Sequence, residues 1–199
     1  MSTEQSLAEH LLDQALIIGE QQGWEAVHLH QLADACGVTL LDVQRCYRQK
    51  DELVDAWLSR ADRALLTETG PSSSSVVERL EHALLRWLSV LAVHKRLTRQ
   101  MLAYKLEPGH LHLQARLITR VSRTVQWWRE VSRREQTGFA QTLDEIALSS
   151  IFLATVSHFL FDDSAEFRRT RHLLQLKLMA HQAICEAGAQ LQSALRPSR

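Results

Sequence analysis

The sequence predicts an all-α protein, a three-helix helix-turn-helix domain followed by a C-terminal helical bundle, about nine helices in all. Three observations carry this. Seven Gly and three Pro in 199 residues are few helix breakers, and Leu, Ala, Gln, Glu and Arg dominate. Apolar residues recur at spacings of three and four along most of the chain. Residues 25–53, EAVHLHQLADACGVTLLDVQRCYRQKDEL, divide into a helix, a tight turn, a short helix and the start of another. That arrangement offers its second helix to a DNA major groove.

The first helix is expected over about 5–22. Its stripe is Leu7, Leu11, Leu12, Ala15 and Ile18, Ser6 and Glu9 form a capping box, and Gly23 ends it. The second spans about 28–36 on Leu29, Leu32, Ala33 and Cys36, and Gly37 stops it in a left-handed conformation. Thr39 N-caps the third, about 40–47, which turns Val43 and Tyr47 inward. The fourth runs from Lys50 to about Thr69 with Leu53, Val54, Trp57, Ala61 and Leu65 inward. The run GPSSSS at 70–75 then breaks the pattern. The expected domains are 1–69 and 76–188, with a tail at 189–199 that frays.

Five helices follow. They are expected at about 76–94, 97–106, 110–134, 143–161 and 164–187. Glu107-Pro108-Gly109 is a turn, and Leu113, Leu117, Val121, Val125 and Trp128 form a stripe on the seventh helix. Thr142 with Glu145, and Asp163 with Glu166, are read as capping boxes for the last two, and Gly188 as the final terminator. The last helix is apolar on two sides: Phe167, Leu174, Leu178 and Cys185 on one, Leu173, Leu176, Ala180, Ile184 and Ala187 on the other. Two apolar faces need two partners. Small residues on helix 8 (Ala147, Ser149, Ser150, Ala154, Ser157) permit close approach. A homodimer through helices 8 and 9 is therefore expected, with Ile151, Ala154, Phe159, Leu173, Leu176, Ala180 and Ile184 at its interface.

Composition narrows the function. A 45% apolar chain of this length can bury one or two cores. No uninterrupted apolar run reaches the roughly 18 residues of a spanning helix, and no leader pattern is present, so a cytoplasmic protein is expected. Cys36, Cys46 and Cys185 lack disulfide or zinc spacing and read as reduced core residues. No GxSxG, P-loop or HExxH occurs, which argues against an enzyme, and neither a cofactor nor a metal is expected. The His-Leu-His triplets at 28–30 and 110–112 would chelate on a strand, but on helices their rings diverge. Trp127 and Trp128 point about 100° apart. A small apolar ligand is expected in a pocket drawn from Trp87, Met101, Tyr104, Trp127, Trp128, Phe152 and His158, the histidine being its polar handle.

Residues 11–58, LLDQALIIGEQQGWEAVHLHQLADACGVTLLDVQRCYRQKDELVDAWL, resemble the N-terminal pattern of the TetR family of transcription regulators. The matching features are the first stripe, Gly23-Trp24, the Leu32-Ala33-x-x-Cys36-Gly37-Val38 segment, Tyr47 and Lys50-x-x-Leu53. Further on, FLFDDSAEFRRTRHLL (159–174) is family-like. The resemblance implies a dimer whose N-terminal domains enter successive major grooves and whose C-terminal domain binds a small ligand, with repression as the usual outcome. The DNA-binding residues it implies are His28, His30, Thr39, Leu40, Asp42, Gln44, Arg45, Arg48 and Lys50, with Lys50 at a phosphate. The chain departs from the family where a basic residue, Gly, Thr and Tyr are common and Leu40, Leu41, Asp42 and Gln44 stand. Its charge is also unusual for DNA: residues 1–60 hold ten acids and four bases. A TetR-like lipid-binding accessory protein of ubiquinone biosynthesis, with a relict helix-turn-helix, is the alternative resemblance. A regulator acting by protein contact through its acidic N-terminal face is the other alternative.

Overall fold

The structure, a computed structural model, describes residues 3–67, 75–107, 111–131, 133 and 139–194. The described residues form nine α-helices: α1 Thr3–Gln22, α2 Leu29–Cys36, α3 Leu40–Cys46, α4 Lys50–Leu66, α5 Val76–Ala92, α6 Lys95–Lys105, α7 Leu111–Val131, α8 Phe139–Phe161 and α9 Arg168–Ala194. Short 3₁₀ turns occur at Trp24–Ala26 and Ala165–Phe167. Most of the expected break at 70–75 lies outside the described residues. The chain forms two compact units, 1–64 with 89–120, and 65–88 with 121–199. So α6 and the first half of α7 group with α1–α4.

In the first unit, α1 buries Leu11, Leu12, Ala15 and Leu16. Gly23, at φ 88°, turns the chain into the Trp24–Ala26 turn. Gly37 ends α2 at φ 65° and ψ 34°, the left-handed conformation its position demands. On α4, Leu53, Val54, Trp57 and Ala61 are all buried, as their spacing requires, and so is Leu65, which falls in the second unit. Three polar links fix the packing. The Trp57 indole donates to the Thr98 hydroxyl at 2.9 Å, the Trp24 amide to Gln100 Oε1 at 2.8 Å, and the Tyr47 hydroxyl to the Ala8 carbonyl at 2.9 Å.

In the second unit α8 and α9 pack on each other, and the buried residues are Leu148, Phe152, Thr155 and Phe159 of α8 and Thr170, Leu174 and Leu178 of α9. Trp128 is fully buried and its indole donates to the Leu80 carbonyl at 2.8 Å. Over 141–161, α8 has the length and hydropathy of a membrane-crossing helix. Asp144 and Glu145 interrupt this stretch, so it holds no uninterrupted apolar run of that length. Asp144 turns inward, where His181 of α9 lies 2.8 Å from its carboxylate and Arg129 3.5 Å.

Four expected helix ends are corrected. The first helix begins at Thr3, so Ser6 and Glu9 lie within it, and Glu9 instead meets Arg60 and Arg63, each at 2.6 Å. The eighth begins at Phe139, ahead of Thr142 and Glu145. Asp162, rather than Asp163, organises the start of α9. Its carboxylate accepts from the amides and hydroxyls of Ser164 and Thr170. Gly188 does not end α9, which runs on to Ala194. The cost of about 1 kcal/mol for a helical glycine is outweighed by the good helix formers around it, Glu186, Ala187, Ala189 and Gln190.

Candidate nucleic-acid interface

The geometry of α3 follows from its cap. Thr39 has extended backbone at φ −82° and ψ 158°, and its hydroxyl accepts from the Asp42 amide at 3.2 Å. The Asp42 carboxylate returns the bond, accepting from the Thr39 amide at 3.1 Å and the Thr39 hydroxyl at 2.6 Å. This is a reciprocal capping box with Asp in the place of the usual Glu. Bonds from the Thr39 hydroxyl and amide, with the nearby Arg45, hold the Asp42 carboxyl below its ordinary range. The Arg45 guanidinium stands 3.3 Å from it. The charge that seemed set against DNA is thus engaged in building the helix.

Val43 and Tyr47 face inward and are buried. Burial pushes the Tyr47 hydroxyl up to about 12. Outward stand Leu40, Leu41, Gln44, Arg45 and Arg48, all exposed. Leu40 and Gln44, and likewise Leu41 and Arg45, are one turn apart and share a face. A groove of about 410 Å³ runs beside them, lined by Leu29, Leu40, Leu41, Val43, Tyr47 and neighbours. At the start of α2, the His28 and His30 rings stack with centroids 5.5 Å apart and planes at 16°. This corrects the expected divergence: His28 is the extended N-cap residue, at φ −125° and ψ 144°, so i and i+2 share a side as on a strand. The second triplet, at 110–112, lies outside the residues whose side chains are described.

Lys50 differs from the expectation. Its ammonium donates to the Glu25 carbonyl at 3.0 Å and lies 5.1 Å from the Trp24 ring centroid and 5.6 Å from that of Tyr104. Burial there lowers its pKa. Lys50 clamps the turn after α1 and does not project beside α3.

The expected pocket residues divide. Trp87, Trp128 and Phe152 do meet in the second unit, with Phe152 5.2 Å from Trp87 and 6.0 Å from Trp128. His158 is half-buried there, its Nδ1 2.9 Å from the Thr170 hydroxyl. Trp127 is 51% exposed. Met101 and Tyr104 belong to the first unit, where Met101 is core and Tyr104 lines a cleft of about 730 Å³ with Trp24, Gln100 and Glu107. Helical spacing assigned each side chain to a face without saying which bundle the face served.

The expected dimer residues divide as well. Ile151 and Phe159 are buried inside the second unit, Phe159 against Phe167 at 5.5 Å. Ala154 and Leu173 are half-buried, and Leu176, Ala180 and Ile184 are exposed. Leu176, Met179, Ala180, Ala183 and Ile184 form one outward stripe on α9. Leu143, Ile146, Ser150, Leu153, Ser157 and Phe161 form another on α8. These positions fall within about 80° of one another on α8 at 100° per residue.

A buried ionic network was not foreseen. Lys105 is fully buried and donates to Asp51 at 3.3 Å and Asp55 at 2.9 Å. Arg116 of α7 also reaches Asp51, at 3.0 Å. Leu97, Met101 and Lys105 recur every four residues, so the sequence does place this lysine on the inward face of α6. That spacing was the signal.

No family model matches the sequence, and no curated protein does. Solved structures do. The chain is 35% identical to the TetR transcriptional regulator from Nitrosomonas europaea ATCC 19718, with a TM-score of 0.77, over 88% of this chain and 97% of that one. A TetR transcriptional regulator from Rhodococcus sp. RHA1 shares the fold, with a TM-score of 0.63 at 17% identity over 89% of this chain and 97% of that one. The nine helices of the described residues, a capped α3 and this identity define a helix-turn-helix regulator. The chain belongs to the TetR family of transcriptional regulators.

Proposed function

We propose that this regulator binds DNA as a homodimer, reads the major groove with α3, represses, and releases DNA when a small apolar ligand enters its second unit. The observation that carries the reading is the exposed face of α3, where Gln44, Arg45 and Arg48 stand clear of the core while Asp42 is tied into the cap. Glutamine can pair with adenine, and arginine with phosphate or guanine. The outward stripes of α8 and α9 support the dimer, since contiguous exposed apolar surface of this kind marks an association face. The Trp87, Trp128 and Phe152 cluster, with the His158–Thr170 pair beside α9, supports an apolar ligand with one polar handle.

The test is anisotropy of the full chain on its own upstream DNA and on scrambled DNA across a salt series. Specific binding is expected. Two arginines per protomer reaching phosphate give a slope of roughly −4 in log K against log salt. Arg45→Ala is expected to weaken binding by roughly tenfold or more, as the loss of one good contact does. An intact dimer that binds neither DNA at low salt overturns the reading and leaves the helix-turn-helix a relict.

A further inference from the structure

We propose that α3 reads thymine methyl groups through Leu40 and Leu41, so that the operator half-site is rich in A·T pairs. This rests on the DNA-binding reading above and specifies its substrate. Both leucines are 56% exposed on the first turn of α3. They border an apolar groove of about 410 Å³ floored by Val43 and Tyr47. The N-terminal residues of a recognition helix are the ones that reach base edges. An aliphatic side chain there can read one base-edge feature, the thymine C5 methyl.

Surrounding charges select DNA as the occupant of this apolar surface. Arg48 lines the groove, Arg45 stands one helical turn beyond Leu41, and the stacked His28 and His30 stand at the start of the preceding helix. The only acid on α3, Asp42, is held by Thr39 and Arg45. Cations beside an apolar strip match the major groove, where phosphates lie on either side of the base edges. Guanine and cytosine are disfavoured at the leucine positions. A cytosine amino group pressed on leucine would lose its water and gain no acceptor. One turn on, Gln44 can pair with the N6 and N7 of adenine. A thymine contact beside an adenine contact makes an A·T-rich step.

Removing the methyl without changing pairing isolates the effect, because deoxyuridine differs from thymidine only there. The full chain is first used to select duplexes from a random library. The selected site is then remade with deoxyuridine at each thymine of the half-site in turn. Burying one methyl contributes about 0.8 kcal/mol, close to fourfold in affinity. A symmetric site losing one methyl per half is expected to bind roughly fifteenfold more weakly. The Leu40→Ala, Leu41→Ala double variant removes exposed side chains, and an unchanged melting temperature checks its fold. It is expected to bind the thymine and uracil sites equally.

The outcomes separate. A library that yields no preferred sequence overturns the DNA-binding reading together with this one. A selected site indifferent to uracil, or a double variant that keeps the thymine preference, overturns the methyl reading alone.

Discussion

Lys105→Met is expected to destabilise the protein by about 3 kcal/mol, the low end of what removing one partner of a buried ion pair costs. The structure sets that magnitude. The lysine is fully buried, and so is Asp51, so the variant strands at least one carboxylate in a dry site. Methionine replaces the four-carbon stem, so little packing is lost. Arg116 still lies 3.0 Å from Asp51, which keeps the loss from the upper end of the range, but its side chain is 43% exposed and screened by water. The assay is urea unfolding followed by fluorescence, with wild type and variant at equal protein concentration because association shifts apparent stability. At a slope near 3 kcal/mol per molar, the midpoint moves down by roughly 1 M. Adding Asp51→Asn and Asp55→Asn to the variant should recover most of the loss, since the charges then vanish together. A loss below about 1 kcal/mol, or no recovery in the triple variant, refutes the claim that the ammonium is held dry between two carboxylates.

Asp162→Asn should cost about 2 kcal/mol, because the carboxylate accepts four bonds from Ser164 and Thr170. Burial opposes that charge, but the hydroxyl and amide bonds outweigh it and hold the Asp162 carboxyl well below its ordinary range. Its stabilisation is therefore complete above about pH 4 and lost as pH falls further, and acid melts of the variant should lack that part of the loss. For Tyr47 the sign reverses. With its pKa raised to about 12, its stabilisation is present below about pH 10 and lost as pH rises toward 12. Tyr47→Phe should flatten the alkaline melt while costing about 1 kcal/mol at neutral pH, for the lost bond to Ala8. Gly37→Ala should cost about 1 kcal/mol in thermal unfolding. The cost is conformational alone, since nothing lies within 4 Å of an added Cβ at φ 65°.

The parts of the fold legible in the sequence are those where one local rule acts alone. Gly37 stops α2 because no other residue adopts its conformation as cheaply, and Leu53, Val54, Trp57, Ala61 and Leu65 share a face at helical spacing. Capping boxes read by spacing fared worse. Ser6 with Glu9 and Thr142 with Glu145 have the right pattern, but each pair lies inside a helix that already runs from Thr3 or from Phe139, where the backbone amides it would cap are bonded within the helix. At the candidate site, the exposure of Gln44, Arg45 and Arg48 was legible because Val43 and Tyr47 fix the inward face. The inward turn of Lys50 was not, because its partners Glu25, Trp24 and Tyr104 are distant in sequence. Pocket residues divided between units for the same reason. Periodicity says that Met101 and Phe152 are buried, not that they are buried apart.

Much of the acidity of the N-terminal region has a structural use. Among residues 1–60, Glu9 and Asp13 face Arg60, Glu20 faces His94 and Arg96, and Asp51 and Asp55 face Lys105 and Arg116. Many of these bases come from α6 and α7, beyond the segment counted as acidic. Over the whole first unit, 1–64 with 89–120, eleven Lys and Arg stand against twelve Asp and Glu. The acids serve as docking points that hold α6 and α7 to the helix-turn-helix. Charge counted along the sequence therefore overstates the acidity of this unit. In the proposed complex what bears on DNA is the charge on and just after α3, where Arg45 offsets Asp42 and the exposed Arg48 follows the helix. With so few cations there, the proposed DNA complex would draw its affinity from the base edges more than from the backbone. That is the regime in which two exposed leucines on a recognition helix contribute most to sequence choice.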